Sequence, residues 1–512
     1  MKTKNKTKID IKSAVSIYLI ALFGYFPLAI TGYGNVSETK YTNFIVLTIA
    51  GLIFAISLWL VDMGAYKSNV RFSERIKNVS ITTWFFVGLV AVQLLSTILC
   101  KYDTHNAWLG EGRSEGMLLM LLYAVVFLGV SAFGSFERLL ILVLSAVLII
   151  MNVIAFVQLC GVNVFGLYPG DSMYDKNYFL KFFSTIGNID ILAAFYCVAV
   201  PLVGVSFVVF KQNILEKLLI LTAVVTSVYV VAEINVSAAM LSFAVVVPFA
   251  LPILMCRNRL PKILVLIGSA LFGVALSFMT DRALNESQKR FELSFDLPTI
   301  SVVLVVLAVV FVAVGFLLKG RCNLPVKSTL IVGYAVMIAV AVAVLIWIWK
   351  FAPTDKTAPD LVREVAKLLR GEADEYSGTH RVAIWKCSLM VFAEHPILGT
   401  GAGAFKQAFS QIAGETYKAY SPLIVDSTHN EWLQIACSFG AMGLIAYLGW
   451  LGTLFVRACR KMSQNLCLIP LTVAFVGYVV QSLFSLSIVM TVPFLLAIAG
   501  LMNAECKKKL HS

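Results

Sequence analysis

Long runs of apolar residues make up most of the chain, and polar residues gather in the short segments between them. Runs of about 18 or more residues recur, which is the length that an α-helix needs to cross the hydrocarbon core of a bilayer. The runs lack the alternation of apolar and polar positions that a transmembrane β-barrel requires. The pattern therefore predicts an all-α polytopic membrane protein with about fourteen transmembrane helices. The predicted spans are residues 13–34, 43–63, 82–100, 117–134, 138–160, 186–210, 218–233, 236–256, 263–280, 300–318, 328–350, 432–456, 466–485 and 488–503.

One long polar stretch, from about Lys350 to Gln434, interrupts this pattern. It is long and polar enough to fold outside a bilayer, and it holds three of the five histidines. The chain is therefore predicted to divide into three parts. Residues 1–350 carry the first eleven spans with short loops, residues 351–431 form one large extracytoplasmic loop, and residues 432–512 carry the last spans and a basic cytoplasmic tail.

Two amphipathic helices are predicted within this loop. The first, Asp360–Arg370, places Leu361, Val365, Leu368 and Leu369 on one helical face, and Gly371 is a natural stop. Thr379 can cap the second, which runs to about Glu394. The apolar face predicted for the second helix consists of Ile384, Trp385, Leu389 and Phe392.

The composition and the distribution of charge agree with a membrane protein. The chain is 59% hydrophobic and 13% charged, whereas a soluble domain is roughly half apolar and about a quarter charged. Of the 41 Lys and Arg residues, 24 fall in segments predicted on the cytoplasmic side and 8 in short segments predicted outside. Short cytoplasmic loops are enriched in Lys and Arg, so both termini are predicted inside and the large loop outside. The net charge of +13 is therefore explained by membrane topology and by contact with anionic lipid, and it does not indicate nucleic-acid binding.

Arginines in the predicted outer segments are candidates for binding an anionic substrate. Arg113 precedes a span, Arg381 opens the second loop helix, and Arg282 and Arg290 lie in another outer loop. The planar guanidinium makes bidentate contacts to phosphate or diphosphate and stays protonated. A solvated arginine or one that contacts lipid headgroups is the alternative interpretation of each.

His429 lies just before a predicted span and is a candidate general base or hydrogen-bond partner for a substrate oxygen. Asn430 adds a donor and an acceptor beside it, while a structural role is the alternative for this histidine. The pattern of Thr428–Leu433 is repeated at Thr104–Leu109, where His105 takes the place of His429.

Two acids, Asp190 and Glu233, fall within predicted spans near their outer ends. An intramembrane carboxylate suggests a functional site, and a snorkelling or hydrogen-bonded structural acid is the alternative. The glycine-rich run around Gly401 lacks the Gly-Lys-Ser/Thr of a nucleotide-binding loop. It predicts a tight turn or a close approach of the backbone to a ligand. The ten cysteines form no Cys-x-x-Cys pair, and no cluster has metal-ligand spacing, so neither a metal nor a cofactor is expected.

Four segments together resemble the O-antigen ligase and polymerase superfamily. They are Trp108–Tyr123 with its Gly-Arg-x-x-Gly, Ser184–Leu202 with Gly-Asn-x-x-x-x-Ala, His380–Phe405 with Arg-x-x-x-Trp and Pro-x-x-Gly-x-Gly, and Ser427–Leu451 with His-Asn-x-x-Leu. Members of that superfamily are bacterial membrane glycosyltransferases that use undecaprenyl-diphosphate-linked glycans. One departure is that Asn235–Ala239 stands where the superfamily often has Ser-Arg-Gly, so a second arginine on the diphosphate is missing here.

The resemblance implies a helical fold of the C type of glycosyltransferase and a reaction without metal or nucleotide sugar. It implies Arg381 on the lipid diphosphate and His429 at the acceptor or reaction centre, in the cytoplasmic membrane of a bacterium. The residues predicted to bind substrate are Arg113, Asn430, Asn188, Asp190, Glu233 and Gly401. The predicted partners are an undecaprenyl-diphosphate-linked glycan donor, a glycan, lipid or protein acceptor, and membrane lipid.

The predicted function is therefore an outer-face ligase or polymerase that joins lipid-linked saccharide to an acceptor. A transporter or flippase of lipid-linked oligosaccharide is the alternative, because about fourteen spans is a common layout for that class too. Transporters usually place charges and broken helices near the midplane, often in related halves, and the sequence shows neither pattern.

Overall fold

The computed structural model describes residues 11–31, 36–65, 79–110, 115–166, 184–256, 258–283, 297–318, 325–355, 358 and 360–508. Within these ranges the chain forms α-helices, two short 3-10 helices at Phe26–Leu28 and Val164–Gly166, connecting turns and loops, and no β-strand. The helices are α1 Ile11–Gly24, α2 Val36–Ala65, α3 Ile81–Ile98, α4 Thr104–Leu109, α5 Met117–Phe133, α6 Arg138–Leu159, α7 Ile189–Val209, α8 Ile214–Ile234, α9 Ser237–Met255, α10 Leu260–Ala283, α11 Leu297–Leu317, α12 Val326–Phe351, α13 Asp360–Arg370, α14 Arg381–Glu394, α15 Phe405–Ile412, α16 Gly414–Lys418, α17 Glu431–Lys461, α18 Leu468–Ser482 and α19 Val492–Glu505.

Eleven of the helical segments in the described part of the chain are long and apolar enough to cross a membrane. Three further apolar helices, α5, α18 and α19, are shorter, with 10–17 residues each. The predicted all-α polytopic membrane fold is confirmed. The number of crossings and the side on which the large loop lies stay predictions, and the predicted break before the last span corresponds to residues 483–491 between α18 and α19.

Helix α7 lies at the centre of the bundle. An 18-residue stretch of it is buried throughout, as expected for a helix that is apolar on every face. It packs against α8, α9 and α18. The buried hydroxyl of Tyr196 in α7 donates a hydrogen bond to the side-chain oxygen of Asn152 at 2.5 Å. The side-chain amide of Asn152 in turn donates to the hydroxyls of Thr226 and Ser227. This network satisfies polar groups that would be costly to bury alone.

Helix α12 lies at the periphery. None of the residues in its most apolar 18-residue stretch is buried. Its end nearest the large loop is fixed by α13, because Arg370 donates hydrogen bonds to the carbonyl oxygens of Ile348, Trp349 and Ala352 at 2.6–3.1 Å. The carbonyl of Ile348 also accepts from the N–H of Ala352 at 3.2 Å. The arginine adds donors at the last turn, where helix carbonyls lack intrahelical partners, and so caps α12.

The region between α12 and α17 partly matches its prediction. Helix α13 has the predicted bounds, and Gly371 follows it with φ +71°. Its predicted apolar face is partly wrong, because Val365 packs against the end of α12 but Leu368 and Leu369 are 59% and 42% exposed. Helix α14 ends at Glu394 as predicted, but the predicted cap is wrong. The N-cap position belongs to His380, which makes no side-chain capping bond, and the Thr379 hydroxyl donates to the carbonyl of Gly378 instead.

The predicted apolar face of α14 is also partly wrong, because Leu389 is 54% exposed. Smaller side chains take its place, and the face packs with α15 and α16 into a core separate from that of the bundle. The buried members of this core are Ala383, Ile384, Cys387, Val391, Phe405, Ala408, Phe409, Ala413, Tyr417, Val425 and Cys437. Cys437 belongs to α17, so this core joins the region to the start of α17.

Candidate active site

A tight left-handed turn precedes Arg381. Gly378, Thr379 and His380 all have positive φ, at +63°, +56° and +66°, a conformation that is costly for residues other than glycine. The ring of His380 meets that of Tyr376 edge-on at 5.4 Å. Backbone strain of this kind is often concentrated at functional sites.

Arg381 is the first residue of α14 and is partly buried. Its Nε is buried and has no hydrogen-bond partner among the described residues. The N-terminus of a helix carries partial positive charge and unpaired backbone N–H groups. An arginine in this position, with buried hydrogen-bonding capacity, suits an anionic ligand.

An ion pair fixes the turn to α14. Lys386 Nζ lies 2.5 Å from Glu375 Oε1. The hydrogen bond from Lys386 lowers the pKa of the Glu375 carboxyl, and the same contact raises the pKa of the lysine. Both side chains are outside the buried core, so the pair stabilises the turn modestly.

Trp385 joins Arg381 to His429. It lies one helical turn after Arg381 on α14, on the same side of the helix. Its indole Nε1 donates to the backbone carbonyl of Thr428 at 2.9 Å. The structure thus brings the first turn of α14 to the residue that precedes His429.

The segment that carries His429 is fixed by local hydrogen bonds. Thr428 is fully buried, its N–H donates to Gln434 at 3.0 Å, and its hydroxyl donates to the carbonyl of Asn430 at 2.6 Å. His429 has φ +52°, and its N–H donates to Ser427 at 3.3 Å. The surrounding bonds hold this uncommon backbone conformation, which sets the direction of the histidine side chain.

Asn430 is the N-cap of α17. Its side-chain oxygen accepts from the N–H of Leu433 at 3.1 Å. The side-chain oxygen of Asn430, which was predicted to bind substrate, therefore caps the N-terminus of a helix, a position that asparagine often occupies. The related segment at Thr104–Leu109 has a different conformation, because it forms α4 and leaves His105 exposed.

The glycine-rich segment packs on a break in α17. Gly440 has φ +65° and ψ −170° inside that helix, which releases carbonyls for the segment to bind. Thr400 N–H donates to Cys437 at 3.0 Å, and Gly401 N–H donates to Ser438 at 2.9 Å. A Cβ added at Gly401 would lie 3.0 Å from the Cβ of Cys100. The positive φ of Gly399 and Gly401, +71° and +100°, agrees with the predicted tight turn. The close approach of backbone seen here is to neighbouring protein, and an approach to a ligand stays a prediction.

An open cavity lies beside this segment and extends into the bundle, which we call the loop-end cavity. It encloses about 1070 Å³, open mouth included. Its polar lining residues are Gln93, Glu115, Tyr123, Lys406, Asp426, Glu431, Gln434, Ser438, Tyr447 and Ser487. Aromatic side chains, among them Phe86, Phe439 and Trp450, line its deeper part. Arg381 and His429 are not among its lining residues, but Asp426 and Glu431, on either side of His429 in sequence, are.

Glu431 is a cavity residue that the sequence analysis missed. It is 4% exposed, and its two carboxylate oxygens accept hydrogen bonds from Tyr447 at 2.8 Å and Tyr478 at 2.7 Å. The predicted span began one residue later, at position 432, so this acid was counted with the loop. The signal that could have found it is an acid placed directly after His429-Asn430, at the start of an apolar run.

The other predicted site residues lie apart from the cavity or outside the described residues. Asn188 caps α7 by accepting from the N–H of Asp190 at 2.8 Å, and it lines a small groove with residues 486 and 488–490, next to the cavity. Glu233 is 1% exposed within α8, and α8 contributes no residue to the cavity lining. Arg113 lies outside the described residues, two positions before the cavity residue Glu115.

The structure does not test the roles predicted for Arg282 and Arg290. Arg290 lies outside the described residues, as does the side chain of Arg282. Among the described residues, no three or more His, Cys, Asp or Glu side chains are grouped so that they could hold a metal ion. A reaction without metal stays a prediction.

Part of the chain matches a known protein family. Residues 298–448 match the model of the O-antigen ligase family. No curated protein matches the chain. The matched region runs from α11 into α17 and contains Arg381, the glycine-rich segment, His429 and Glu431. The match confirms the superfamily resemblance for the region that holds two of the four segments, residues 380–405 and the start of 427–451.

Proposed function

We propose that this chain, whose residues 298–448 match the O-antigen ligase family, transfers or polymerises glycan from an undecaprenyl-diphosphate carrier at the outer face of the cytoplasmic membrane. The family match and the apolar helices support the coarser statement that the chain is a multi-pass membrane protein and a ligase- or polymerase-like glycosyltransferase. The identity of the donor, the side of the membrane on which it reacts and a reaction without metal are the additional parts of the proposal.

The contact that carries this assignment is the hydrogen bond from Trp385 to the carbonyl of Thr428. It holds a partly buried arginine at a helix N-terminus close to a histidine in a constrained backbone conformation. A glycosyl transfer from a lipid diphosphate needs both groups. The arginine stabilises charge on the departing diphosphate, and the histidine accepts a proton from the acceptor hydroxyl.

In the proposed step, the acceptor hydroxyl oxygen forms a bond to the anomeric carbon of the donor sugar while its proton moves to the imidazole of His429. The bond between that carbon and the diphosphate oxygen breaks, and the electron pair leaves with the lipid diphosphate. Arg381 and the N-terminus of α14 neutralise the diphosphate. Arg113, two residues before Glu115, is the proposed second cation.

The loop-end cavity is the proposed site for saccharide. Amide, hydroxyl and carboxylate groups, such as those of Gln93, Gln434 and Glu431, can hydrogen-bond sugar hydroxyls, and Phe439 and Trp450 offer apolar faces. Asn188, which lines the groove next to the cavity, and Asp190, two residues further along α7, are proposed to extend this site. Gly401 is proposed to act by allowing the segment beside the cavity to pack closely.

The test is transfer of glycan from lipid-diphosphate-linked donor in membranes from the native host. Arg381→Ala and His429→Ala are each expected to abolish transfer, with donor accumulating on the outer leaflet. Two matched controls exist in this chain, namely Lys386→Ala on the exposed side of α14 and His105→Ala in the related Thr-His-Asn segment. Both controls are expected to keep transfer near the wild-type rate at equal expression.

Two results would contradict the proposal. Normal transfer by both site variants would remove Arg381 and His429 from the reaction. Donor retained on the inner leaflet of cells that carry either variant would instead favour the flippase alternative.

A further inference from the structure

The helices α3, α5, α17 and α19 form the part of the loop-end cavity that we call the inner subsite. Three of its buried side chains carry polar groups that have no hydrogen-bond partner among the described residues. They are the hydroxyl of Tyr123, the indole Nε1 of Trp450 and the side-chain amide of Gln93. These residues are 5%, 2% and 6% exposed, and all three line the cavity. A buried polar group is costly to leave unpaired, so the subsite offers unused hydrogen-bonding groups to a ligand.

The break in α17 adds a carboxylate to the inner subsite. Glu431 and Tyr447 are 16 residues apart in sequence, which would separate them by about 24 Å along a straight helix. Tyr447 nevertheless donates to Glu431 at 2.8 Å, because the helix changes direction at Gly440. Tyr478 donates to the other carboxylate oxygen at 2.7 Å. A carboxylate has about four lone-pair sites, so Glu431 can accept further hydrogen bonds from a ligand.

The mixture of groups in the inner subsite matches the chemistry of a sugar ring. The indole of Trp450 only donates and the carboxylate of Glu431 only accepts, whereas the amide of Gln93 and the hydroxyl of Tyr123 do both. Sugar hydroxyls also donate and accept, so they can pair with all four. Phe86 packs against the ring of Trp450 at 5.0 Å and supplies an apolar wall, which suits the C–H face of a sugar.

The charges of the cavity disfavour an acidic sugar. The described charged residues that line it are Glu115, Lys406, Asp426 and Glu431, which are three acids and one lysine. Lys406 belongs to α15, so the described lining of the inner subsite contains no cation. An anionic group that entered this subsite would lose its hydration without gaining a positive partner.

We propose that the inner subsite binds one uncharged sugar ring of the transferred glycan, through its three unpaired polar groups and the carboxylate of Glu431, and that it excludes acidic sugars. This inference rests on the proposed function, because it names the class of saccharide that the same cavity accepts. Gln93, Tyr123 and Trp450 are then specificity-determining residues. They bind the saccharide, whereas Arg381 and His429 act on the bond that breaks.

The experiment uses the full-length protein in nanodiscs and four probes, the methyl glycosides of glucose, galactose, glucuronic acid and galacturonic acid. Each acidic probe differs from its neutral counterpart by a carboxylate in place of the primary alcohol. Saturation-transfer NMR detects binding, and titration gives the dissociation constants. The neutral glycosides are expected to bind more tightly than their acidic counterparts. Gln93→Leu and Tyr123→Phe are each expected to weaken neutral-glycoside binding about three- to tenfold, the effect of one or two lost hydrogen bonds.

Two measurements separate recognition of a ligand from a structural role. Tyr229→Phe changes a buried tyrosine of α8 that does not line the cavity, and this control is expected to bind like the wild type. The thermal midpoint of Tyr123→Phe without glycoside is expected to equal that of the wild type, because a hydroxyl without a partner adds no hydrogen bond to the folded protein. A lowered midpoint would overturn the assignment of Tyr123.

The proposal as a whole is overturned if the acidic glycosides bind as tightly as the neutral ones, if no glycoside binds, or if both subsite variants bind like the wild type. These readouts need no lipid-linked donor, so they fail separately from the proposed function. Normal transfer by Arg381→Ala and His429→Ala would end the proposed reaction, and the binding preference for neutral sugars would still stand or fall by its own measurement.

Discussion

The two tyrosines that hold Glu431 allow a quantitative test of how the cavity is built. Tyr447 and Tyr478 each donate to a different oxygen of the carboxylate, and all three side chains are at most 4% exposed. Tyr478→Phe removes one donor while keeping the ring. The carboxylate then loses half of its hydrogen bonds in a site where water replaces them poorly.

The expected cost follows from the type of bond. A hydrogen bond to a charged group contributes about 1.5–3 kcal/mol to stability, whereas one between neutral groups contributes roughly 0.5–1.5 kcal/mol. Tyr478→Phe should therefore cost about 2 kcal/mol in the wild-type background and about 1 kcal/mol in Glu431→Gln. The coupling free energy of the pair is then about 1 kcal/mol.

The assay is a double-mutant cycle on unfolding of the purified protein in mixed micelles, with Tyr478→Phe, Glu431→Gln and the double variant. The same cycle with Tyr447→Phe checks the second bond. If the free-energy costs of the single substitutions add up to that of the double variant, the tyrosines stabilise the bundle by packing alone. The account of Glu431 as a carboxylate held by two donors would then be refuted.

Three other predictions concern the candidate site. Trp385→Phe deletes the bond to Thr428 and leaves a buried carbonyl unpaired, so it should cost about 1–3 kcal/mol of stability and lower the transfer rate in the membrane assay. Gly440→Ala places a Cβ 2.1 Å from a neighbouring carbonyl oxygen at φ +65°, so little folded protein should be recovered by size exclusion. The pair of Glu375 and Lys386 should stabilise its turn above pH 4.5, the ordinary pKa of glutamate, and lose this effect as pH falls through the lowered pKa of Glu375; hydrogen exchange of residues 375–386 should then rise.

Two of these have a matched control. Gly452→Ala lies on the same helix with nothing within 4 Å of the added Cβ, and it should express like the wild type. Lys386→Ala should abolish the acid-dependent change in exchange. Unchanged transfer by Trp385→Phe would mean that Arg381 and His429 are positioned independently of this bond, and a stable Gly440→Ala variant would contradict the close packing at the break in α17.

The helices could be predicted from the sequence because the physics that forms them is local. A long apolar run in a bilayer must satisfy its backbone within one helix, and α13 follows from its apolar spacing and Gly371. The cap of α14 was wrong because Thr379 adopts a left-handed conformation that tertiary contacts impose. The prediction that Leu389 belongs to the buried face of α14 was wrong, because helical periodicity identifies a face but not the size of side chain that fits against a tightly packed partner.

The candidate site was predictable in part. Arg381 and His429 could be singled out because charge and an imidazole are unusual beside apolar runs. The contact through Trp385 that brings them together could not be predicted, because a hydrogen bond to a backbone carbonyl leaves no pattern in the sequence. Glu431 was missed through a boundary error of one residue, and such boundaries are the least certain part of a sequence prediction.

The peripheral position of α12 makes the protein sensitive to the thickness of its membrane. The 22 residues between Lys327 and Lys350 span about 33 Å at 1.5 Å per residue, slightly more than a hydrocarbon core of about 30 Å. With little packing to fix its angle, the helix is expected to meet this mismatch by tilting. Because Arg370 ties its end to α13, a change in tilt would move the polypeptide that leads into the candidate site, and bilayers of different acyl length should give different transfer rates.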